Sequence, residues 1–360
     1  MRRNTKIVLV VGVFFLASLT MSTIPIASAD PLDQIIKGAK EEGKVYGTLK
    51  SIKPKSVVRL RSEIKDKYGV DLEIKLTPTR SIPKDYAKAA MEHRAGAPPT
   101  YDIQNFHSTV LIDDQGSVLE RVDWKPLITK DSNPNVVLKN PALRGAIAIF
   151  TQHTGLLYNN KKVTAEEVPK TIHDMADPKW KGRLGIFSYT ATWTRWAFIL
   201  GKDKVLSDLR AIMKNKAIHG RFANLYNRFT LGEIDLAFIG SGHLKSALDA
   251  GLPAAYRALD FDEVLNFSLS LRKGARHPNA AKLLAVYLAS PQGSKFLWEE
   301  LKLGNSNYAG SIERDISDDS KKLGIPQYSI ESYPGYVAFR LSDEQKKLQK
   351  EVKLILQTGK

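Results

Sequence analysis

The chain has 360 residues, with 54 Lys and Arg against 38 Asp and Glu, and carries a formal net charge of +16. With 43% hydrophobic and 26% charged residues it is too ordinary for a disordered tail, a collagen or a multi-span membrane protein, and too long for one small module, so two domains are expected. Zero cysteines exclude a disulfide framework, a thiolate metal site, an iron–sulfur cluster and a cysteine nucleophile.

Arg2, Arg3 and Lys6 precede an apolar run from Ile7 to Leu19, and Ala27-Ser28-Ala29 follows. This predicts an export signal over residues 1–29, cleaved after Ala29; its apolar core is shorter than the roughly 20 residues that spanning a bilayer requires. Loss of the leader takes the net charge from +16 to +13. The basic residues are scattered among acids, as Lys37, Lys40 and Lys44 are around Glu41 and Glu42. They form no block that would track a phosphate backbone, so nucleic acid is not an expected partner. Most of such charge is a solvated surface; an exported basic protein nonetheless attracts anions.

Beyond Asp30 strand-like and helix-like blocks alternate. An amphipathic block, Leu32–Glu42, leads to a β-rich run at Lys44–Leu49 and the loop Lys50-Ser51. Val57, Leu60, Ile64 and Tyr68 recur at helical spacing, with Gly69 as a stop; Val70–Leu76 alternates with period two. A loop over Thr77–Pro83, a helix over Lys84–Arg94 and a strand over Tyr101–Phe106 follow, and the next helix should begin near His107-Ser108. The second half repeats this grammar, with strands expected at Leu184–Phe187, Ile218–Phe222, Asp235–Ile239 and Ala254–Leu259. Its helices are expected at Thr192–Leu200, Lys204–Lys214, Leu225–Gly232 and Leu244–Ala250. Strands alternating with helices of this length imply parallel pairing and a sheet covered on both faces. The extended runs Ala146–Tyr158 and Asn266–Leu271 are the expected crossings between the halves, so lobe 1 takes 30–149 and 272–360 and lobe 2 takes 150–271. Pro278 and Pro291 fit first helical positions, with Ser290 as a cap, and Ser342 to Gln345 has the capping-box pattern.

Catalytic signatures are missing: no G-x-S-x-G, no H-E-x-x-H, no Walker loop and no G-x-G-x-x-G after a strand. Gly240-Ser241-Gly242 is a fragment that supplies neither base nor oxyanion hole, so no catalytic residue is assigned. The seven histidines form no local metal pair, and no metal site or cofactor is assigned. His107 and His243 stand apart, because each follows a strand or its turn on the carboxyl edge where open α/β sheets bind ligands. Loops on that edge supply Ser51, Arg80, Ser81, His107, Ser108, Thr190, Thr192, Ser241 and His243, with Trp193 and Tyr226 as aromatic walls. Helix N-termini offer unpaired N–H donors to a small anion, and arginine a bidentate clamp; Ser and Thr at such positions also serve simply as N-caps.

The stretch Gly274 to Gly293, with His277-Pro278-Asn279-Ala280-Ala281, resembles a conserved-order segment of the extracellular solute-binding proteins of ABC importers, and is most similar to their ferric-ion branch. Val168 to Gly182, with Asp177-Pro178-Lys179-Trp180-Lys181-Gly182, Gly155 to Asn159 and Gly232 to Phe238 resemble further segments of that family in matching order. The resemblance implies a type II periplasmic binding fold, α/β, with two lobes closing on a solute in the cleft between them, each lobe a mostly parallel sheet flanked by helices. It implies a periplasmic monomer, no enzyme, delivering its cargo to ABC permease subunits. Ferric-ion members place adjacent tyrosines after the strand matching Asp235–Ile239, where this chain has Gly242 and His243. A carboxylate, phosphonate or similar small anion is therefore the expected solute. Metal or metal-chelate capture through His107 and His243 is the alternative, and an exported hydrolase using Ser241 a more distant one.

Overall fold

In a computed structural model the described residues are 30–114, 117–143 and 145–359; the expected export signal lies outside them. The first half comprises α1 (Pro31–Glu42), β1 (Lys44–Leu49), α2 (Pro54–Tyr68), β2 (Glu73–Pro78), α3 (Ile82–Arg94), β3 (Ile103–His107) and α4 (Ser108–Asp114). A long strand, β4 (Ile147–Asn159), carries the chain onward to β5 (Leu184–Phe187), α5 (Thr190–Leu200), α6 (Lys202–Lys214), β6 (Ile218–Gly220) and α7 (Phe222–Thr230). Next come β7 (Leu236–Gly240), α8 (Gly242–Asp249) and β8 (Ala254–Arg257), and β9 (Asp262–Leu271) returns the chain. The remainder is α9 (Pro278–Leu288), α10 (Pro291–Leu301), α11 (Ile312–Lys322), β10 (Gln327–Ser329), α12 (Tyr336–Leu341) and α13 (Asp343–Thr358).

Local chemistry sets these bounds. Asp30 Oδ1 accepts from the Leu32 N–H at 2.9 Å, and Pro31 occupies a first helical position, where a missing donor costs nothing. Pro278 and Pro291 open α9 and α10 in the same way, and Ser290 Oγ accepts from the Gly293 N–H. The box at α13 is half formed: Ser342 Oγ accepts from the Gln345 N–H, but the Gln345 amide turns to Gln349 and leaves the return bond unmade. Gly69 closes α2 at φ 63°, a conformation that costs an L-residue with a Cβ.

One sheet path runs β2-β1-β3-β9-β4-β7-β5-β6, with β10 added to β9 and β8 to β4. Pairing is parallel within β2-β1-β3 and within β7-β5-β6, and antiparallel where β9 and β4 are inserted between them. His107 stands opposite Phe267, which stands opposite Phe150, whereas Gly240 stands opposite Thr154. The carboxyl ends of β3 and β7 therefore approach from opposite directions and stop about four residues apart along β4, roughly 13 Å at strand rise.

Two apolar cores result. Ile147 and Ile149 of β4 join Val45, Leu60, Ile103 and the buried face of α9 in one; Ala148, Phe106 and Val110 join Phe187, Trp193, Trp196 and Phe238 in the other. Alternation along β3 and β4 sends successive side chains to opposite sheet faces, and the second core runs on from the first half into the second. The C-terminal segment departs from the expected grouping of 272–360 with lobe 1, because α13 packs on α5 and α6, and α12 touches both α4 and α5. Its apolar stripe, Leu348, Val352, Ile355 and Leu356, is buried in the core that holds Trp193 and Trp196. Helices α11 and α12 are additions to the expected elements, and β2 begins at Glu73 instead of Val70.

Candidate functional site

Four chain segments converge where the carboxyl ends meet. Lys50 leaves β1, His107 ends β3, Tyr189 precedes α5, and Ser241-Gly242-His243 joins β7 to α8. Beneath these segments, as a packed floor that belongs to the first core, Phe150 (1% exposed) and Phe267 (6%) stack with ring centroids 4.5 Å apart and planes at 13°. The Lys50 ammonium stands 5.2 Å from the Phe267 centroid and 5.8 Å from that of Phe150, a cation–π arrangement. His107 meets Phe267 edge-on at 5.9 Å. On the opposite wall His243 stacks on Tyr226 at 4.9 Å, and Phe222 packs edge-on against both His243 and Tyr189.

The electrostatics are unusual for so basic a chain. Lys50 makes no ion pair with any described residue; burial pushes its ammonium down from its ordinary value, opposed by the Glu313 carboxylate. Burial, aided by the positive charges of Arg195, Arg340 and Lys50, pushes His107 down to about 3. Burial and the nearby Lys50 push His243 down to about 4. Both imidazoles are thus neutral at pH 7, and His107 Nδ1 is buried without a hydrogen-bond partner among the described residues. Glu313, 1% exposed, is pushed up to about 7 by burial; Ser241 Oγ lies 3.4 Å from its Oε1, and its Oε2 has no described partner. The N-termini of α3, α5 and α8 lack side-chain caps from Ser81, Tyr189 and Ser241, leaving amide donors open there.

The other expected site residues divide. Ser51, at φ 60°, and Arg80 are exposed, and Arg80 makes no ion pair with a described residue. Ser108 and Ser241 are fully buried in structural roles. Ser108 Oγ donates to the Asn266 carbonyl, and Ser241 Oγ accepts from the His153 N–H at 3.0 Å. Thr190 Oγ1 accepts from the Gln349 amide, and Thr192 Oγ1 from the Arg195 guanidinium. Trp193 is a core residue, not a wall: it is fully buried, and its indole N–H donates to the Phe187 carbonyl at 2.9 Å. Ser241 Oγ accepts from the His153 N–H, lies 3.4 Å from Glu313 Oε1 and is fully buried, so it is held in the scaffold and out of reach of a solute.

The sequence reading named the Lys50 loop but not its side chain, and missed Phe150, Phe267 and Glu313 altogether. Only the β3–β9–β4 register aligns the two phenylalanines, and no local periodicity reports it. Among the described residues no three His, Asp or Glu side chains gather as a metal site. Behind the floor, the crossover strands are fastened by Arg195 Nε to Glu263 Oε1 at 2.6 Å and by His153, whose Nδ1 lies 2.6 Å from Asp262 Oδ1 and whose Nε2 lies 2.8 Å from Ser306 Oγ.

Residues 60–320 match the family model of the bacterial extracellular solute-binding proteins. Solved structures share the fold at low identity. An ABC-transporter substrate-binding protein of Agrobacterium tumefaciens aligns with a TM-score of 0.67 at 14% identity, covering 89% of this chain and 96% of that one. A Trichodesmium protein in complex with iron and citrate aligns at 0.63 and 18%, covering 86% and 99%. A periplasmic binding protein of Actinobacillus pleuropneumoniae with bound fructose-6-phosphate aligns at 0.60 and 17%, covering 87% and 98%. The fold is the two-lobe periplasmic binding architecture.

Proposed function

Because the chain belongs to the bacterial extracellular solute-binding proteins, we propose that it captures a small anionic solute, a carboxylate, phosphonate or similar group, between its lobes and hands it unchanged to ABC permease subunits. The observation that carries this reading is Lys50, a cation without an ion-pair partner, set on two aromatic faces beside two neutral histidines. An anion there gains a charge-assisted hydrogen bond from the ammonium, while N–H groups of the neutral imidazoles and of the uncapped starts of α5 and α8 complete its shell.

Closure turns about the segments of β4 and β9 between the two parallel strand groups, near Thr151–His153 and Val264–Asn266. Lobe 1 in this reading is 30–149 with 272 to about 330, and α13 moves with lobe 2, against which it packs. The solute supplies the differential affinity that favours the shut state. The leader-like pattern over 1–29 supports an encounter outside the cytoplasm, and the +13 balance of the remainder supports an anionic solute.

Calorimetry and thermal melting against carboxylates, phosphonates, sulfonates and phosphate esters test the reading. At least one anion should raise the melting temperature, and Lys50→Met should weaken its binding by about ten- to a hundredfold. No hit in the panel, or a hit indifferent to Lys50, removes the proposal. Binding that appears only when ferric ion accompanies the anion transfers the assignment to a metal chelate.

A further inference from the structure

On the far side of the crossover strands from Phe150 and Phe267 lies a second cavity, of about 460 Å³. Thr151 pairs with Asn266 in the register, one residue on from the Phe150 and Phe267 pair, so strand alternation turns both away from the cleft floor. Thr151 and Asn266 line this cavity together with Ser306, Gln327 and Glu331. Glu331 is 3% exposed; its Oε1 accepts from Asn266 Nδ2, and its Oε2 has no hydrogen-bond partner among the described residues.

Ser306 is held by a relay. Its Oγ contacts His153 Nε2 at 2.8 Å and Thr151 Oγ1 at 2.8 Å, and His153 Nδ1 faces Asp262 at 2.6 Å. The order Asp, His, Ser is that of an acyl-transfer relay, but a tetrahedral oxyanion finds no seat. The Ser306 N–H is taken by Thr151 Oγ1 and the Asn307 N–H by Asn305 Oδ1. The relay therefore fixes a hydroxyl for recognition instead of activating it.

We propose that this cavity is a second ligand site, spatially separate from the cleft, for a small neutral polyhydroxylated molecule of sugar or polyol size. Hydroxyl groups both donate and accept, which suits a wall of amides, hydroxyls and one carboxylate. A cation is disfavoured because Arg314 and Lys321 line the same cavity, and burial pushes Glu331 towards its neutral form. An anion is disfavoured because those two cations are already engaged with Asp318, the third lining cation, Lys139, stands exposed to solvent at the rim, and the buried wall presents a carboxyl group. The site touches both crossover strands, so its occupancy is coupled to closure, and by reciprocity closure to its affinity.

Calorimetry of the whole exported chain against glucose, myo-inositol and sucrose, with putrescine and inorganic phosphate as charged probes, tests this. At least one polyol should bind; Asn135→Trp, at the exposed rim of the cavity, should weaken it by about tenfold or more, and Lys50→Ala should leave it within about twofold. Hydrogen exchange of the unsubstituted chain, which needs no variant to fold, should show polyol-dependent protection at Gln327–Ser332 and around Asn135. No polyol binding up to millimolar concentration, binding abolished by Lys50→Ala but not by Asn135→Trp, or putrescine or phosphate as the sole binder through this rim would each overturn the proposal. Acylation of Ser306 by a fluorophosphonate would overturn the recognition role in favour of chemistry.

Discussion

Arg195 Nε lies 2.6 Å from Glu263 Oε1, and both residues are buried, at 5% and 0% exposure. The pair ties α5 to the returning crossover strand, and Glu263 Oε2 also accepts from Thr154 Oγ1 at 3.0 Å. Arg195→Met leaves a stranded carboxylate and should cost about 3–5 kcal/mol in urea unfolding. Adding Glu263→Gln removes that charge while keeping an acceptor for Thr154, and should recover a substantial part of the loss. A double variant as unstable as the single one would show that packing, not the stranded charge, sets the cost.

Lys50 carries a prediction of opposite signs for stability and for binding. An unpaired ammonium held among aromatic rings is costly, so Lys50→Met, which keeps the stem and drops the charge, should leave the unliganded protein as stable or raise its melting temperature. The same change should weaken anion binding by roughly 1.5–3 kcal/mol. Melting with and without the anion separates the two effects; a variant that loses stability but keeps affinity would assign Lys50 to the scaffold.

The α/β grammar of this chain was readable because helix and strand periods are local. Val57, Leu60 and Ile64 announce α2, and Pro278 and Pro291 mark the starts of their helices. The uninterrupted extended runs at 146–158 and 266–271 fall within β4 and β9, give or take a residue at the start of β4. The floor of the site was not readable. Phe150 and Phe267 are 117 positions apart and meet through strand register alone. Ser241 and Ser108 looked like ligand groups because they follow strands, yet the carboxyl edge of a sheet also needs hydroxyls to satisfy its own buried backbone. The seat of α13 escaped for a related reason: its apolar stripe shows that it must pack, not which lobe receives it.

Trp193 separates a core residue from a binding one. Trp193→Phe removes the indole donor that satisfies the Phe187 carbonyl and leaves part of its volume empty, in contact with Phe187 and Phe238. Stability should fall by about 2–4 kcal/mol, whereas anion affinity of the folded protein should stay within about twofold. A large loss of affinity with unchanged unfolding would restore Trp193 to the wall of the cleft.

Glu313, His107 and His243 set opposing slopes in stability against pH. Burial raises Glu313 from 4.5 to about 7, so the folded state holds that proton more tightly. Its contribution is full below about pH 4.5 and is lost as pH rises to about 7. Burial lowers the two histidines from 6.5 to about 3 and about 4, so the unfolded chain takes up protons first. Their contribution is full above about pH 6.5 and is lost as pH falls towards 4. Each group changes the slope by at most about 1.4 kcal/mol per pH unit; between pH 4.5 and 6.5 the two histidines outweigh the Glu313 carboxyl, and Glu331, which burial also raises, makes the climb shallower. Stability should therefore climb through that interval and dip slightly between 6.5 and 7. Glu313→Gln should steepen the climb and abolish the dip, while His243→Gln should make the climb shallower. Urea midpoints measured from pH 4.5 to 7.5 decide it, and a Glu313→Gln curve parallel to that of the unsubstituted protein would show that this carboxyl does not titrate in the interval.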